Sequence, residues 1–441
     1  MKRSHVLSFL IAIAVTLPGL IVRLTGTHLE PPVQALTSGA AILAASFLLL
    51  WACDAAQTLI SQALALAVVA LIAVLPEYSV DMYFTWQAGQ NPASDYAHYA
   101  IANMTGANRL LIGVAWGAIV ALFWARYRKD VVIEAERRTE LAFLALATAY
   151  AFFIPLKGTL AWYDGVVFLA IYIWYIVVAS RRPAGEGEVE GPAELLDSLT
   201  GRAKWAGVGA AFAFAASVIL ANAEPFSEGL IGTGRVFGVS EFLLVQWLAP
   251  IASEAPEFVV ALMFAWRGQA GIALGSLLSA KLNQWTLLVG TIPGVFAISS
   301  GSLEHPIPMG SFQMSELLLT AAQSLMAVVL LAELRLSIGG ALLLFGLFIG
   351  QFILPVFSQW FPSLAFGLGS QQIHPVFTML YCAVAAALAL QRPAKLLDVA
   401  KGFSLKPVAQ ECCEEPQPGE KPECQRCQFR AIALEKTLVA R

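Results

Sequence analysis

The feature that most limits what this chain can fold into is a series of long stretches without one charged residue. Val6–Val22, Ala35–Cys53, Leu59–Leu75 and Gly165–Ala179 contain no Asp, Glu, Lys or Arg. An uncharged apolar run of roughly 18 residues is long enough to cross a bilayer core of about 30 Å as a helix. A soluble core does not require a dozen such runs. Over the 441 residues, 58% are hydrophobic and 13% charged, about half the charged share of an ordinary soluble domain. The chain therefore reads as an all-α polytopic membrane protein whose first partner is the lipid bilayer, and a soluble enzyme is excluded as the main reading. A formal net charge of −3 leaves no large basic surface for nucleic acid. Six cysteines are too few and too scattered for a disulfide framework.

Twelve spans are predicted, at about 6–23, 35–53, 58–88, 97–125, 140–156, 163–180, 205–222, 237–266, 271–298, 315–332, 337–358 and 374–391. The first has the basic start of a signal peptide, but no clean small-x-small cleavage site follows, so it reads as a retained helix. Short cytoplasmic loops should carry the Lys and Arg. With the N-terminus inside, the interior receives Lys2, Arg3, Arg126, Arg128, Lys129, Arg137, Arg138, Arg181, Arg182, Arg202, Lys204, Arg267 and Arg335. The exterior receives only Arg23, Lys157 and Arg235, with acids such as Asp95, Glu224, Glu228 and Glu304. Both termini are thus expected in the cytoplasm, with the protein in the cell (plasma or inner) membrane. The expected organisation is an N-terminal helix and loop (1–34), a first transmembrane half (35–180), a solvated cytoplasmic linker (181–204), a second half (205–391) and a cytoplasmic tail (392–441).

The two halves share a motif. Pro76-Glu77-Tyr78-Ser79-Val80 to Trp86 aligns without a gap on Pro256-Glu257-Phe258-Val259-Val260 to Trp266, sharing Pro-Glu-aromatic-x-Val-x-x-x-Phe-x-Trp at an offset of 180 residues. By the loop charges, the first copy runs outward and the second inward. Two similar units of opposite orientation mark inverted-repeat transporters, whose site lies at the repeat interface. Chance similarity between apolar helices would supply the Val and Phe matches, but not the Pro-Glu pair.

Each motif places a carboxylate deep in a span, which costs several kcal/mol unless it faces a partner or a wet cavity. The proline before each Glu cannot donate a backbone hydrogen bond and should kink or break its helix, freeing carbonyl oxygens there. Asp81 follows Glu77 by four residues and Glu254 precedes Glu257 by three, roughly on the same helix face. The alternative for a membrane Glu is a salt bridge locking two helices together. The partner spans carry Asn103, Thr105, Asn108 and Arg109, and Ser276, Ser279, Lys281, Asn283 and Gln284. Amide and hydroxyl oxygens suit Ca²⁺ or Na⁺, whereas Arg109 and Lys281 can only donate. Four acids (Glu77, Asp81, Glu254, Glu257) against these two bases leave −2. Each base is either an internal counter-charge or a chain snorkelling to an interface.

These residues resemble the cation/calcium antiporter superfamily, which includes the sodium/calcium exchangers and carries two inverted repeats, each with a Gly-Thr-Ser-x-Pro-Glu helix and a following Gly/Ser/Asn-rich helix. Ala252-Ser253-Glu254-Ala255-Pro256-Glu257 keeps the Pro-Glu and one hydroxyl, and Gly271 to Ser279 is similar to the family's next stretch. The first copy, Ala73-Val74-Leu75-Pro76-Glu77, lacks the Gly-Thr-Ser, while Asn103-Met104-Thr105-Gly106-Ala107-Asn108 is similar to the family's Asn-x-x-Gly-x-Asn core. The resemblance covers roughly 50–125 and 222–299. It implies Glu77 and Glu257 as central cation ligands; helix face and oxygen chemistry add Asp81, Ser253, Glu254, Asn103, Asn108, Ser279 and Asn283 as further candidates. It also implies a transported cation and no required cofactor. The first copy lacks the hydroxyl pair of the family's sodium sites, and Arg109 and Lys281 fall beside positions where the family supplies Asn, Ser or Asp.

In the tail, Cys412-Cys413 and Cys424-Gln425-Arg426-Cys427 suggest a Zn²⁺ site, although adjacent cysteines are poorer zinc geometry than a second Cys-x-x-Cys and palmitoylation is the competing use. No Gly-x4-Gly-Lys-Ser/Thr is present, which argues against a primary pump, and no His-Glu-x-x-His or paired Gly-Asp motif points to an intramembrane enzyme. His5, His28, His98, His305 and His374 lie at span ends or loops and read as surface side chains. The leading expectation is a secondary antiporter exchanging Ca²⁺ or a related cation for Na⁺ or H⁺. Its competitor is a non-transporting protein on the same fold with Arg109 and Lys281 sealing the site.

Overall fold

The computed structural model describes residues 3–59, 74–181, 189, 191–360 and 370–404. Among these, twelve long helices follow one another: α1 (Arg3–Thr25), α2 (Pro31–Ala56), α3 (Leu75–Gln90), α4 (Tyr96–Tyr127), α5 (Arg138–Ala151), α6 (Trp162–Ala179), α7 (Gly201–Phe237), α8 (Glu241–Trp266), α9 (Ala270–Asn283 continuing through Val289–Ser300), α10 (Ser311–Leu331), α11 (Ile338–Trp360) and α12 (Ser370–Gln391). The protein is an all-α polytopic membrane protein. Ten of its described helices are long and apolar enough to cross a bilayer by length and hydropathy alone. Two miss that measure. The span expected at 58–88 is described only from residue 74, and α9 carries Lys281, Asn283 and Gln284 at its middle, which lowers its hydropathy.

Two short β-pairings test the alternation of loops. Val131–Val132 pairs with Arg335–Leu336, and Thr159–Leu160 pairs with Ile307–Pro308, both antiparallel. The first pair joins two loops assigned to the interior, and the second joins two assigned to the exterior. An odd error in helix count between these loops would have put paired strands on opposite faces.

Close packing without a hydrophobic driving force relies on small residues that let backbones approach. α2 lies along α7, where a Cβ on Gly229 would stand 2.6 Å from the backbone nitrogen of Ala35. The two repeats meet reciprocally: α4 packs on α8 and α3 packs on α9. At the first of these contacts, a Cβ on Gly106 would lie 2.0 Å from the carbonyl oxygen of Gln246. That carbonyl is the one Pro250 cannot bond four residues later, so the proline and the glycine make one feature.

Three expectations need correcting. α8 runs through Pro250 and Pro256 as one helix rather than breaking beside Glu257, because each ring removes one hydrogen bond and the packed neighbours hold the helix. α7 continues fifteen residues past the expected end at 222, to Phe237. Its charges are paired there: Arg23 with Glu224, Arg235 with Glu241, and the hydroxyls of Tyr83 and Tyr96 donating to Glu228. The linker is not wholly solvated either. Ala193 and Leu196 are buried, while Thr58 and Lys204 both donate to Asp197, which fastens this stretch to the end of α2.

Candidate cation-binding site

The first repeat brings its carboxylate in at a helix start. Pro76 is the second residue of α3 and Glu77 stands in its first turn, where proline costs no hydrogen bond and the helix dipole favours an anion. In the second repeat Ser253, Glu254 and Glu257 sit midway along α8, within about one turn. The structure gathers Glu77, Ser253, Glu254 and Glu257 around one small cavity, completed by Val74 and by Gln284 of α9. The space open to the centre of a water-sized sphere is about 10 Å³, enough for one water or one bare ion. Gln284 Nε2 donates to Glu254 Oε1 at 2.9 Å. One turn further along α3, Asn103 Nδ2 donates to Asp81 Oδ1 at 2.7 Å.

Buried oxygens without donors stand in this lining (Glu77, Gln284) and on the helices beside it (Asp81, Asn103, Asn283). Glu77 Oε1, Asp81 Oδ2, Asn103 Oδ1, Asn283 Oδ1 and Gln284 Oε1 have no hydrogen-bond partner. Each such acceptor costs about 1–3 kcal/mol when buried and unpaired, and all five are the hard oxygen ligands that Ca²⁺ or Na⁺ takes. Glu77 and Glu254 are buried, while Glu257 is half-buried. Among the described residues no three His, Cys, Asp or Glu side chains form a resident metal cluster. This arrangement is a loose oxygen pocket rather than a cage.

Lys281 reaches the same region from α9. It is fully buried; its ammonium donates to Asn108 Oδ1 at 2.7 Å and lies 4.4 Å from the ring of Trp285. α4 and α9 each contain a π-turn, Leu111–Trp116 and Gln284–Leu288, a distortion frequent at functional sites. The two turns begin 173 residues apart, as do Asn108 and Lys281. Asn108 and Lys281 are therefore equivalent positions of the two repeats, bonded to each other across the interface. The Pro-Glu offset of 180 falls to 173 because the first repeat is seven residues longer between its helices.

Comparison with known proteins follows the same residues. The model of the family described as sodium/calcium exchanger protein matches residues 31–181 and 208–357, which include both motifs. This chain belongs to the sodium/calcium exchanger family. Its members are cation/calcium antiporters, transporters rather than enzymes. A crystal structure of an H⁺/Ca²⁺ exchanger, CAX, is 38% identical over 92% of this chain and 100% of its own, with a TM-score of 0.85. The sodium–calcium exchanger NCX_Mj, soaked with Na⁺ and Sr²⁺, aligns at 18% identity over 77% of this chain and 97% of its own, with a TM-score of 0.45. No curated protein sequence matches the chain significantly.

Within this exchanger, not every candidate from the sequence reaches the cavity. Ser279 instead contacts Arg137 (3.1 Å) and Glu140 (3.3 Å). Arg109, expected as an internal counter-charge, turns away and forms a buried ion pair with Glu316 of α10, its guanidinium also 5.3 Å from the ring of Trp247. His374, expected at the surface, is buried with Nδ1 3.0 Å from Glu316. Gln246 completes that cluster by donating to Glu316 at 2.6 Å. Glu316 stands at the polar start of an apolar run, where an acid is unremarkable, and it has no partner in the repeat motif to draw attention to it. Cys412, Cys413, Cys424 and Cys427 lie outside the described residues.

Proposed function

We propose that this exchanger moves Ca²⁺, or a divalent cation of similar size, against protons. The observation that carries this reading is the cavity lined by Glu77, Glu254 and Glu257, with donorless oxygens on Glu77 and Gln284 and the Lys281 ammonium held nearby on Asn108. Ca²⁺ recovers its lost hydration from carboxylate and amide oxygens. When it leaves, two protons restore the charge, and an unpaired buried carboxylate is the group that accepts them. Sodium is less well served. Ala73, Val74 and Leu75 bring no side-chain hydroxyl, and Ser253 already donates to the carbonyls of Ala249 and Pro250. The 38% identical structure of an H⁺/Ca²⁺ exchanger supports the choice of counter-ion. The loop charges support a cell-membrane protein with both termini in the cytoplasm.

The sealed-site alternative loses half its support, because Arg109 is engaged by Glu316 and not by the repeat carboxylates. Proteoliposomes decide the matter. ⁴⁵Ca uptake should be driven by an imposed pH gradient and be indifferent to a Na⁺ gradient. Uptake driven by Na⁺ alone would overturn the proton reading, and no exchange under either gradient would restore the sealed site.

A further inference from the structure

A second cavity, separate from the cation pocket, opens among the outer ends of α4, α7, α8, α10, α11 and α12. Its volume is about 740 Å³, in the range of small-molecule sites. The charges on its floor cancel: Arg109 pairs with Glu316, whose other oxygen faces His374. A free ion gains little from such a floor. Its neutral hydrogen-bonding groups are left over instead. Gln351 is 1% exposed and neither atom of its amide has a partner; the indole nitrogen of Trp247 has none either. A buried primary amide lacking both a donor and an acceptor partner is costly, and here both side chains line the chamber.

The chamber's side wall is aromatic. Trp247 of α8 packs edge-on against Phe348 and Phe352 of α11, ring centroids 5.4 and 5.1 Å away. Beside that seam, outside the chamber's lining, Leu248, Ile251 and Ile353 are exposed by 39–49%, an apolar surface suited to acyl chains. Trp247 stands six residues from the start of α8 and Glu316 five from the start of α10. At 1.5 Å per residue this places the floor about 8–9 Å below these helix starts, near the depth where headgroups give way to hydrocarbon. At the mouth Arg235 is neutralised by Glu241, which leaves Asp95 as the unbalanced charge beside His98.

We propose that this chamber binds one zwitterionic phospholipid with an ammonium headgroup: the ammonium at Asp95, ester oxygens at the Gln351 amide and Trp247 N–H, and an acyl chain leaving over Phe352. Neither the coupling ion nor the cation pocket enters this assignment. The full chain, purified and delipidated, would be titrated with phosphatidylethanolamine or phosphatidylglycerol and read by native mass spectrometry. One phosphatidylethanolamine should be retained, with about a three- to fivefold preference over phosphatidylglycerol. Gln351→Leu should weaken that retention by about tenfold, and Asp95→Asn should erase the preference between headgroups. Equal retention of both lipids by the wild type, or unchanged retention in Gln351→Leu, overturns the site. If Gln351→Leu does not fold, Asp95→Asn, at an exposed loop position, still decides: an undiminished headgroup preference overturns the proposal.

Discussion

Removing the charge of Glu316 while keeping its shape is the sharpest test of how this protein disposes of its misplaced arginine. Glu316 is 0% exposed and Arg109 1%, so Glu316→Gln strands a guanidinium that no other carboxylate pairs among the described residues. Breaking a buried ion pair from one side costs about 3–5 kcal/mol, most of it the desolvated partner. The Trp247 ring and the carbonyl of Thr105, 3.3 Å from Arg109 Nε, remain as partial support, so the lower end of that range is expected. In mild detergent this corresponds to a loss in melting temperature of about 3 °C for a chain of 441 residues.

The double variant Arg109→Gln with Glu316→Gln should recover most of that loss, since two amides can bond to each other and no charge is left buried. Coupling between the sites should reach about 2–3 kcal/mol, read from thermal melts of the four proteins. ⁴⁵Ca exchange should persist in the double variant, because neither residue lines the cation cavity. Additive melting losses would refute the claim that the pair is the reason both charges are tolerated. A folded double variant that no longer exchanges would refute the separation of this cluster from the transport site.

Three other outcomes follow from the cation pocket and the packing around it. Glu257→Gln should fold and lose Ca²⁺ exchange, because it removes charge but little volume; unchanged ⁴⁵Ca flux would remove this residue from the site. Lys281→Met takes one positive charge from beside the carboxylates, so Ca²⁺ or Na⁺ should then raise the melting temperature more than in wild type by mass action; identical titrations would mean the ammonium does not reach the site electrostatically. Gly106→Ala forces a methyl group onto the Gln246 carbonyl, 2.0 Å from where its Cβ would stand, and should cost at least about 1–3 kcal/mol. Gly209→Ala, with nothing within 4 Å, is the control and should melt like wild type.

What could be read in the sequence was whatever a local pattern encodes. Uncharged runs marked the spans, and a Pro-Glu pair repeated at fixed offset marked the two carboxylates that share the cavity. Loop charges gave an alternation that the two β-pairings respect. What could not be read depends on which helices meet. Ser279 and Asn283 are four residues apart on one helix, yet Ser279 contacts Arg137 and Glu140 of α5 and its N-terminal turn while Asn283 keeps a donorless buried oxygen. Arg109 and Lys281 looked alike as bases in apolar helices. Only the packing of α10 against α4 gives Arg109 a carboxylate, and no periodicity in α10 announces Glu316. α7 outran its expected end because its charges find partners on other helices, which hydropathy along one helix cannot register.

The repeat alignment explains why Lys281 need not block the site it stands beside. Positions related by the inverted repeat face each other at the interface, so Lys281 meets its own counterpart, Asn108, and not a carboxylate. An ammonium bonded to Glu254 or Glu257 would consume the oxygens a divalent ion needs. One bonded to an amide carbonyl and set over an indole ring keeps its charge near the pocket without occupying a ligand. The same alignment shows where the second repeat departs from the first: Glu254 corresponds to Val74 and Gln284 to Leu111. Both polar members line the cavity, and Gln284 bonds Glu254. The second repeat thus adds one acid, one amide and one base, and the first contributes Glu77 and Asp81. Charge near the pocket then sums to four acids against one fixed base, −3 rather than the −2 expected when Arg109 was counted. A divalent cation leaves −1 there, a balance that a single proton on any one of the carboxylates completes.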